Sequence, residues 1–289
     1  MPEKKDLPYH LPLQELLRPV LIRYAYGICG SVAEAEDVVQ DLFLYLLDRD
    51  LTGVDDLRAY LIRSVINRAI DRKKALIKRV ESYPGTWLPE PFADDTADRR
   101  LLSKEKFSYA LMVLLEHLDP RQRAVFILKE AFSYSHEEIA AVLDCNAALS
   151  RQLLSRARKQ LASVQREDER MASGTFLSRY LDVMQSGNTA ALEKLLLEDI
   201  IVISDGGGKA AAALNPVIGV ARVTALLFGI YKKFALHCEL RTSFVNGSPA
   251  LLYLSEGQLI KCQILTIEAG RISRIYIIRN PDKLLKISF

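Results

Sequence analysis

One tryptophan in 289 residues, four cysteines, four histidines and no long apolar run set the first limits on this chain. Cys29, Cys145, Cys238 and Cys262 lie far apart with no C-x-x-C pair, and His10, His117, His136 and His237 are equally scattered. The pattern offers neither a disulfide framework nor a zinc site, so no metal or cofactor is expected. The start "MPEKKDLPYHLP" has no signal-peptide apolar region, and no stretch approaches the ~18 apolar residues of a membrane helix. The expectation is a cytoplasmic protein with no membrane partner. A net charge of +3 is modest, and 49% hydrophobic with 26% charged residues describes globular folding rather than long-range disorder. At roughly 100–200 residues per domain the length predicts two or three modules. There is no internal repeat.

The lone tryptophan lies in "SYPGTWLPEPF". Proline fixes φ, lacks an N–H and pushes the preceding residue toward extended backbone, so Pro84, Pro89 and Pro91 make Ser82 to Phe92 an extended connector. A tryptophan left in water forgoes about 1.5–3 kcal/mol of burial. Trp87 is therefore expected to pack against another part of the molecule.

On either side the pattern is helical. From Leu13 to Lys78 apolar residues recur at three and four, as in Val38, Leu42, Tyr45 and Leu46, and Ser31 with Glu34 has capping-box spacing. A second helical block, Leu101 to about Glu169, is broken at Asp119-Pro120, Ser133 to Ser135 and Asp144 to Asn146. Beyond Met171 the character changes: helices Phe176 to Gln185 and Ala190 to Leu197, the apolar run "DIIVIS", a glycine cluster and a helix Val220 to Lys233. Four period-two segments follow, joined by Asn246-Gly247, Glu256-Gly257 and Ala269-Gly270, which predicts an antiparallel meander. The last third is thus α+β.

Three segments carry the functional signal. In "YSHEEIAAVLDCNAALSRQLLSRARKQLA" a capped short helix, a tight turn and a second helix form a helix-turn-helix. Leu149, Leu153, Leu154, Ala157 and Leu161 share one face of the second helix; Arg151, Ser155, Arg158 and Lys159 lie opposite, free to enter a major groove. Arg121 to Arg166 carries eight Lys/Arg against four Asp/Glu. Arg58 to Arg79 is denser, eight Lys/Arg against Asp71 alone, with Tyr60 and Asn67 interleaved; so many like charges call for a polyanion. The helix "SVAEAEDVVQDLFLYLLD" is acidic through Glu34, Glu36, Asp37 and Asp41, which fits a basic protein surface and not DNA. Charged, solvated helix faces are the bland alternative for all three.

In this order the segments resemble the extracytoplasmic-function (ECF) RNA polymerase sigma factors, through "AEDVVQDLFLYLL", "LRAYLIRSVINRAIDRKK", "LDPRQRAVFILKEAFSYSHEEIAAVL" and "SRQLLSRARKQL". The resemblance implies a region-two module at 8–80, a linker at 81–100 and a region-four module at 101–169, both modules all-α. It implies that Glu36, Asp37, Gln40 and Asp41 dock on the β′ clamp helices of core RNA polymerase. The loop Asp50 to Asp56 with Arg58, Tyr60, Arg63, Asn67 and Arg68 would open and read a promoter −10 element. Arg151, Gln152, Ser155, Arg158 and Lys159 would read the −35 element. Tyr60 stands where the family usually has tryptophan and Ser150 where valine is usual; Ser150 could bond back to the Asn146 carbonyl and bend the helix.

The connector "WLPEP" (Trp87, Leu88, Pro89, Glu90, Pro91), "DGGGK" (Asp205, Gly206, Gly207, Gly208, Lys209) and "NPDKL" (with Asn280, Pro281 and Asp282) resemble the signatures of one ECF subgroup. Its members carry a fused SnoaL-like domain of the nuclear-transport-factor-like fold, here 174–289. That implies regulation in cis with no dedicated anti-sigma protein, and Trp87 packed near the other two motifs. "DGGGK" lacks phosphate-loop spacing and reads as a glycine turn with close backbone approach. The fold also houses isomerases and cyclases, and Asp199, Asp205 and His237 are its titratable candidates here. With no catalytic pair in the sequence, no enzyme is expected, and a small ligand in the C-terminal domain is left open. The rival functional reading is an autonomous helix-turn-helix regulator with a ligand-sensing domain.

Overall fold

The computed structural model describes residues 11–51, 53–92, 108–162, 173–234, 237–285 and 287. They fall into two compact units, one drawn from Met1–Lys78 and Leu115–Ser163, the other from Arg79–Leu114 and Val164–Phe289.

The first unit is helical. Helices α1 (Leu11–Cys29), α2 (Val32–Leu46) and α3 (Leu57–Val80) come first. Helix α4 (Tyr109–Leu115) belongs to the second unit as far as Leu114, and the first unit continues through α5 (Pro120–Glu130), α6 (His136–Leu143) and α7 (Ala147–Ala162). The three expected breaks separate α4 to α7. Ser31 Oγ accepts the Glu34 amide at the start of α2, while Asp119 with Gln122 and Ser135 with Glu138 form full capping boxes. Asp144 ends α6 in the left-handed region, φ 50°.

An ionic cluster inside this unit ties α1 and α3 to the α4–α5 turn. Lys73, on the inward face of α3 among Ile66, Ala69, Ile70 and Leu76, donates to Glu116 Oε2 at 2.6 Å and to the Cys29 carbonyl at 3.2 Å. Arg123, wholly buried, donates to Glu116 Oε1 at 2.6 Å and to the Gly27 carbonyl at 2.7 Å. Gly30, at φ +79°, makes room: a Cβ there would lie 2.6 Å from Glu116 Oε1. Burial, then Arg123, lowers the Lys73 ammonium to about 8. Burial by itself would raise Glu116, but Arg123 and Lys73 outweigh it and hold the carboxyl below 4.5.

The second unit is α+β. Helices α8 (Ser173–Ser186) and α9 (Thr189–Leu195) precede β1 (Leu196–Asp205), β2 (Val217–Ile218) and α10 (Val220–Phe234). Then come β3 (Glu239–Val245), β4 (Ser248–Ser255), β5 (Gln258–Glu268), β6 (Arg271–Ile278) and the short α11 (Pro281–Leu284). The sheet order is β2-β1-β6-β5-β4-β3. β3 to β6 form the expected meander, and all six turn residues have positive φ, as type I′ hairpins require. One feature differs from the sequence reading: the helix from Ala190 stops at Leu195, not Leu197, because Leu196 is already extended and paired with Ile272; β1 itself lies parallel to β6.

Strand alternation gives the sheet two apolar faces. Val202, Leu251, Tyr253, Leu265, Ile275 and Ile277 belong to the core formed with α8, α9 and α10. Ala250, Leu252, Cys262, Ile264, Tyr276 and Ile278 belong to a second core with Leu88, Tyr109, Leu284 and Ile287. An antiparallel sheet with one wet face reads polar on alternate positions; "ALLYL" and "RIYIIR" do not, because the connector and the C-terminal turn cover the other side.

Replacing Glu116→Gln leaves two buried cations facing each other and is expected to cost about 3–5 kcal/mol in urea unfolding of the full chain. Glu130→Gln, which loses only an exposed pair with Arg158, is expected to cost under about 1 kcal/mol. Because Glu116 titrates below its unfolded value, its contribution is complete above that value and is lost as pH falls through the lowered pKa. The Glu116→Gln chain should lack that part of the acid sensitivity.

Candidate nucleic-acid interface and connector dock

On α2 the inward positions are Val32, Ala35, Val38, Val39, Leu42, Phe43 and Leu46. Asp37, Gln40 and Asp41 are exposed and Glu36 half-buried beside them. On α3, Arg58 and Arg63 are exposed while Tyr60, Asn67 and Arg68 are half-buried. The basic run is less available than its composition implies. Lys73 is consumed by the internal cluster, and Arg72 pairs with Glu34 and, at 3.5 Å, with Asp37. Arg68 and Arg49 stack on Tyr45, 4.8 and 4.6 Å from its centroid. Asn67 Nδ2 donates to the Arg63 carbonyl and to the Val142 carbonyl of α6, each at 2.9 Å. In the Asp50 to Asp56 loop Leu51 is buried, Asp56 Oδ1 caps α3 through the Ala59 amide, and Thr52 lies outside the described residues.

Helix α7 is two-sided. Leu154, Ala157 and Leu161 are buried and Leu149 and Leu153 half-buried, while Arg151, Gln152, Ser155, Arg158 and Lys159 are all exposed. Arg151 pairs with Glu137 at 3.0 Å and Arg158 with Glu130 at 2.5 Å, exposed pairs that phosphates can displace at little cost. Ser150 is fully buried, but its hydroxyl meets His136 Nδ1 at 2.9 Å. The expected bond back to Asn146 is not the one formed: α6 packs across that face and offers a better-placed partner. The Ser150 hydroxyl therefore joins the two helices of the motif.

The three motifs of the second unit converge on one carboxylate. Asp205, at the end of β1 and 1% exposed, accepts from Tyr83 OH (2.5 Å), the Gly207 amide (3.0 Å), the Leu88 amide (3.0 Å) and Lys283 Nζ (2.6 Å). Its backbone carbonyl accepts the Arg279 and Asn280 amides. Lys283 also donates to the Leu88 carbonyl at 2.5 Å and sits 3.2 Å from the Trp87 ring centroid, a contact worth about 0.5–2 kcal/mol. Tyr83 meets Trp87 edge to face, centroids 4.7 Å apart, and accepts Asn280 Nδ2 at 2.8 Å. Burial, then the bond to Asp205, pushes the Tyr83 phenol up.

The glycines serve this approach. A Cβ at Gly207 would lie 3.0 Å from Tyr83 OH and 2.3 Å from Asn280 Nδ2, and one at Gly208 would lie 2.7 Å from Pro84. Gly206 is closed off by the Ala210 carbonyl, at 2.0 Å from such a Cβ. Lys209 and Asp282 form an exposed ion pair at 2.5 Å, Pro281 opens α11, and Asn280 caps it through the Asp282 amide. Leu88, Pro89, Glu90 and Pro91 are buried. Tyr109 OH donates to the Pro89 carbonyl, and Phe92 exchanges bonds with Asn246. Tyr83, Tyr109, Asn246 and Lys283 were missed as site residues. Lys283 stands inside "NPDKL", 78 residues from Asp205, and no local spacing pairs the two. Asp199 and His237 are not among the partners of Asp205.

Asp205→Asn removes the counter-charge of buried Lys283 and is expected to cost the second unit about 3–5 kcal/mol. Trp87 is the only tryptophan, so its emission should report an earlier urea midpoint; an unchanged midpoint contradicts the assignment.

Residues 13–78 match the family Sigma-70 region 2 and residues 108–161 match Sigma-70, region 4. The chain is 31% identical over 285 residues to the ECF RNA polymerase sigma factor SigJ of Mycobacterium tuberculosis, covering 93% of this chain and 91% of that protein. It is 29% identical over 287 residues to the probable ECF RNA polymerase sigma factor SigI of the same organism, covering 92% of each. The crystal structure of SigJ is similar across 96% of this chain and 98% of the SigJ chain, with a TM-score of 0.78 at 30% identity. Both helical modules and the α+β part lie within these matches, and the chain belongs to the extracytoplasmic-function RNA polymerase sigma factors.

Proposed function

We propose that the chain binds core RNA polymerase through Glu36, Asp37, Gln40 and Asp41, directs it to a −10/−35 promoter, and is regulated in cis by its SnoaL-like domain. The observation that carries the reading is the division of exposed surface in the first unit. An acidic face on α2 and a basic face on α7 are offered to different partners, each on a helix whose other side is buried. Arg151, Gln152, Ser155, Arg158 and Lys159 enter the major groove, with Glu137 and Glu130 giving up their arginines to phosphate or base edges.

Region two works through Arg58, Tyr60, Arg63, Asn67 and Arg68. Unstacking a −10 base costs a few kcal/mol, offset by contacts in the pocket that the Asp50 to Asp56 loop and Tyr60 supply. Asn67 is engaged by the Val142 carbonyl, so reading the −10 strand requires that bond to open. Residues 8–80 and 101–169 then act as two readers and 81–100 as the link between them. The link's first part is held on the appended domain through Asp205 and Lys283, which gives residues 174–289 a grip on the separation of the readers.

Run-off transcription with core polymerase, on a promoter taken from upstream of the protein's own gene, tests the reading. Arg151→Ala should lower initiation about tenfold, the loss of one base contact worth about 1–3 kcal/mol. Lys159→Ala should weaken promoter binding across sequences and reduce the slope of log affinity against log salt by about one. Tight duplex binding without polymerase and no initiation would instead favour an autonomous regulator.

A further inference from the structure

The second unit contains a cavity of about 260 Å³ lined by Ser204, Ala211, Ala212, Ala213, Leu226, Ile230, Lys233, Phe234, Lys261, Ile277 and Arg279. Its walls are mostly apolar, and two cations stand in them with no carboxylate among the described lining residues. Lys261, on β5 opposite Tyr253, is wholly buried, and its Nζ makes no hydrogen bond among the described residues. It meets ring faces instead, 3.2 Å from the Tyr253 centroid and 5.0 Å from that of Phe234. Arg279 lies over the same Phe234 at 4.8 Å; one end of its guanidinium donates to the Ala211 carbonyl while its Nε is buried without a partner.

A buried lysine is normally matched by a carboxylate, because an unpaired charge in a low-dielectric interior is costly. Here burial and then Arg279 push the Lys261 ammonium down to about 6, and the groups that bear on it in the other direction are the thiols of Cys238 and Cys262. With no anion beside it Lys261 is largely neutral at pH 7; a carboxylate entering the open apolar space would restore its proton, and the neighbouring arginine has a spare donor to help hold it. We infer that this cavity binds a small organic carboxylate, its carboxylate held by Lys261 and Arg279 and its apolar body lying against Leu226, Ile230, Phe234 and Ile277. The volume is just below the ~300–1,000 Å³ of cavities for drug-sized ligands, which selects a single aromatic ring or a short aliphatic chain. The site is separate from the polymerase and DNA surfaces and does not rest on their assignment.

Calorimetric titration of the full chain with benzoate, hexanoate, benzamide and inorganic phosphate decides it, with no polymerase or DNA present. At least one of the two carboxylates should bind in the sub-millimolar range and raise the melting temperature, with neutral benzamide at least about tenfold weaker than benzoate or silent. Lys261→Met, which is one atom shorter, fills most of the same space and removes the charge, should lose the carboxylate about tenfold or more while its Trp87 emission stays as in the parent chain. Benzamide binding as tightly as benzoate, phosphate binding in place of both carboxylates, or no binding by either carboxylate overturns the proposal. The benzoate–benzamide comparison uses the unaltered chain, so it stands even if Lys261→Met does not fold.

Discussion

A buried carboxylate holds the second half of this molecule together. Asp205 is removed from water at the end of β1, and an isolated carboxylate in that position would be costly by several kcal/mol. It is tolerated because four donors from three parts of the chain converge on it: Tyr83 and Leu88 of the connector, Gly207 of its own turn, and Lys283 of α11. None of these segments supplies enough donors alone. The charge can be buried only when the connector, the glycine turn and the C-terminal turn are in place together, which makes their order cooperative. Lys283 extends the coupling to Trp87, and the Gly207 and Gly208 backbone permits Tyr83 and Pro84 to come close enough.

The same docking solves a packing problem. The meander is apolar on both faces, and α8, α9 and α10 cover only one. Leu88 and Tyr109, with Leu284 and Ile287 from the chain's end, cover the other, keeping a large apolar patch out of water. Removing the appended domain would therefore strip Leu88, Phe92 and Tyr109 of their partners. Point substitutions at the dock are cleaner probes than truncation. In the helical unit Glu116 plays the corresponding part, joining Lys73 and Arg123 between α3 and the α4–α5 turn.

Much of this was legible in the residues. Turn pairs with a second-position glycine announced the hairpins, Ser135 and Glu138 announced α6, and the three prolines announced an extended connector. The apolar alternation of α7 separated its buried leucines from the basic side. The rest depended on tertiary choices that local pattern does not encode. Leu196 continues a helical run in sequence but is claimed by pairing with Ile272. Lys73 counts as a surface charge in composition, and only the fold turns it inward to Glu116. Ser150 had a local partner in Asn146 and found a distant one in His136. Lys261 sits in "QLIKCQILTIE" as one polar residue in a strand, and nothing local says that its face is closed over or that Arg279 stands beside it.

If the connector's hold on the C-terminal domain governs the sigma factor's output, as we propose, loosening that hold must change initiation. Run-off transcription by core RNA polymerase with the full chain and its Lys283→Met variant tests this most directly, with Trp87 emission recorded on the same samples. Trp87 emission should shift as the ammonium leaves its ring, and promoter-dependent initiation should change with it while affinity for core polymerase stays unaltered. Identical initiation from a chain whose Trp87 emission shows the connector released would contradict it.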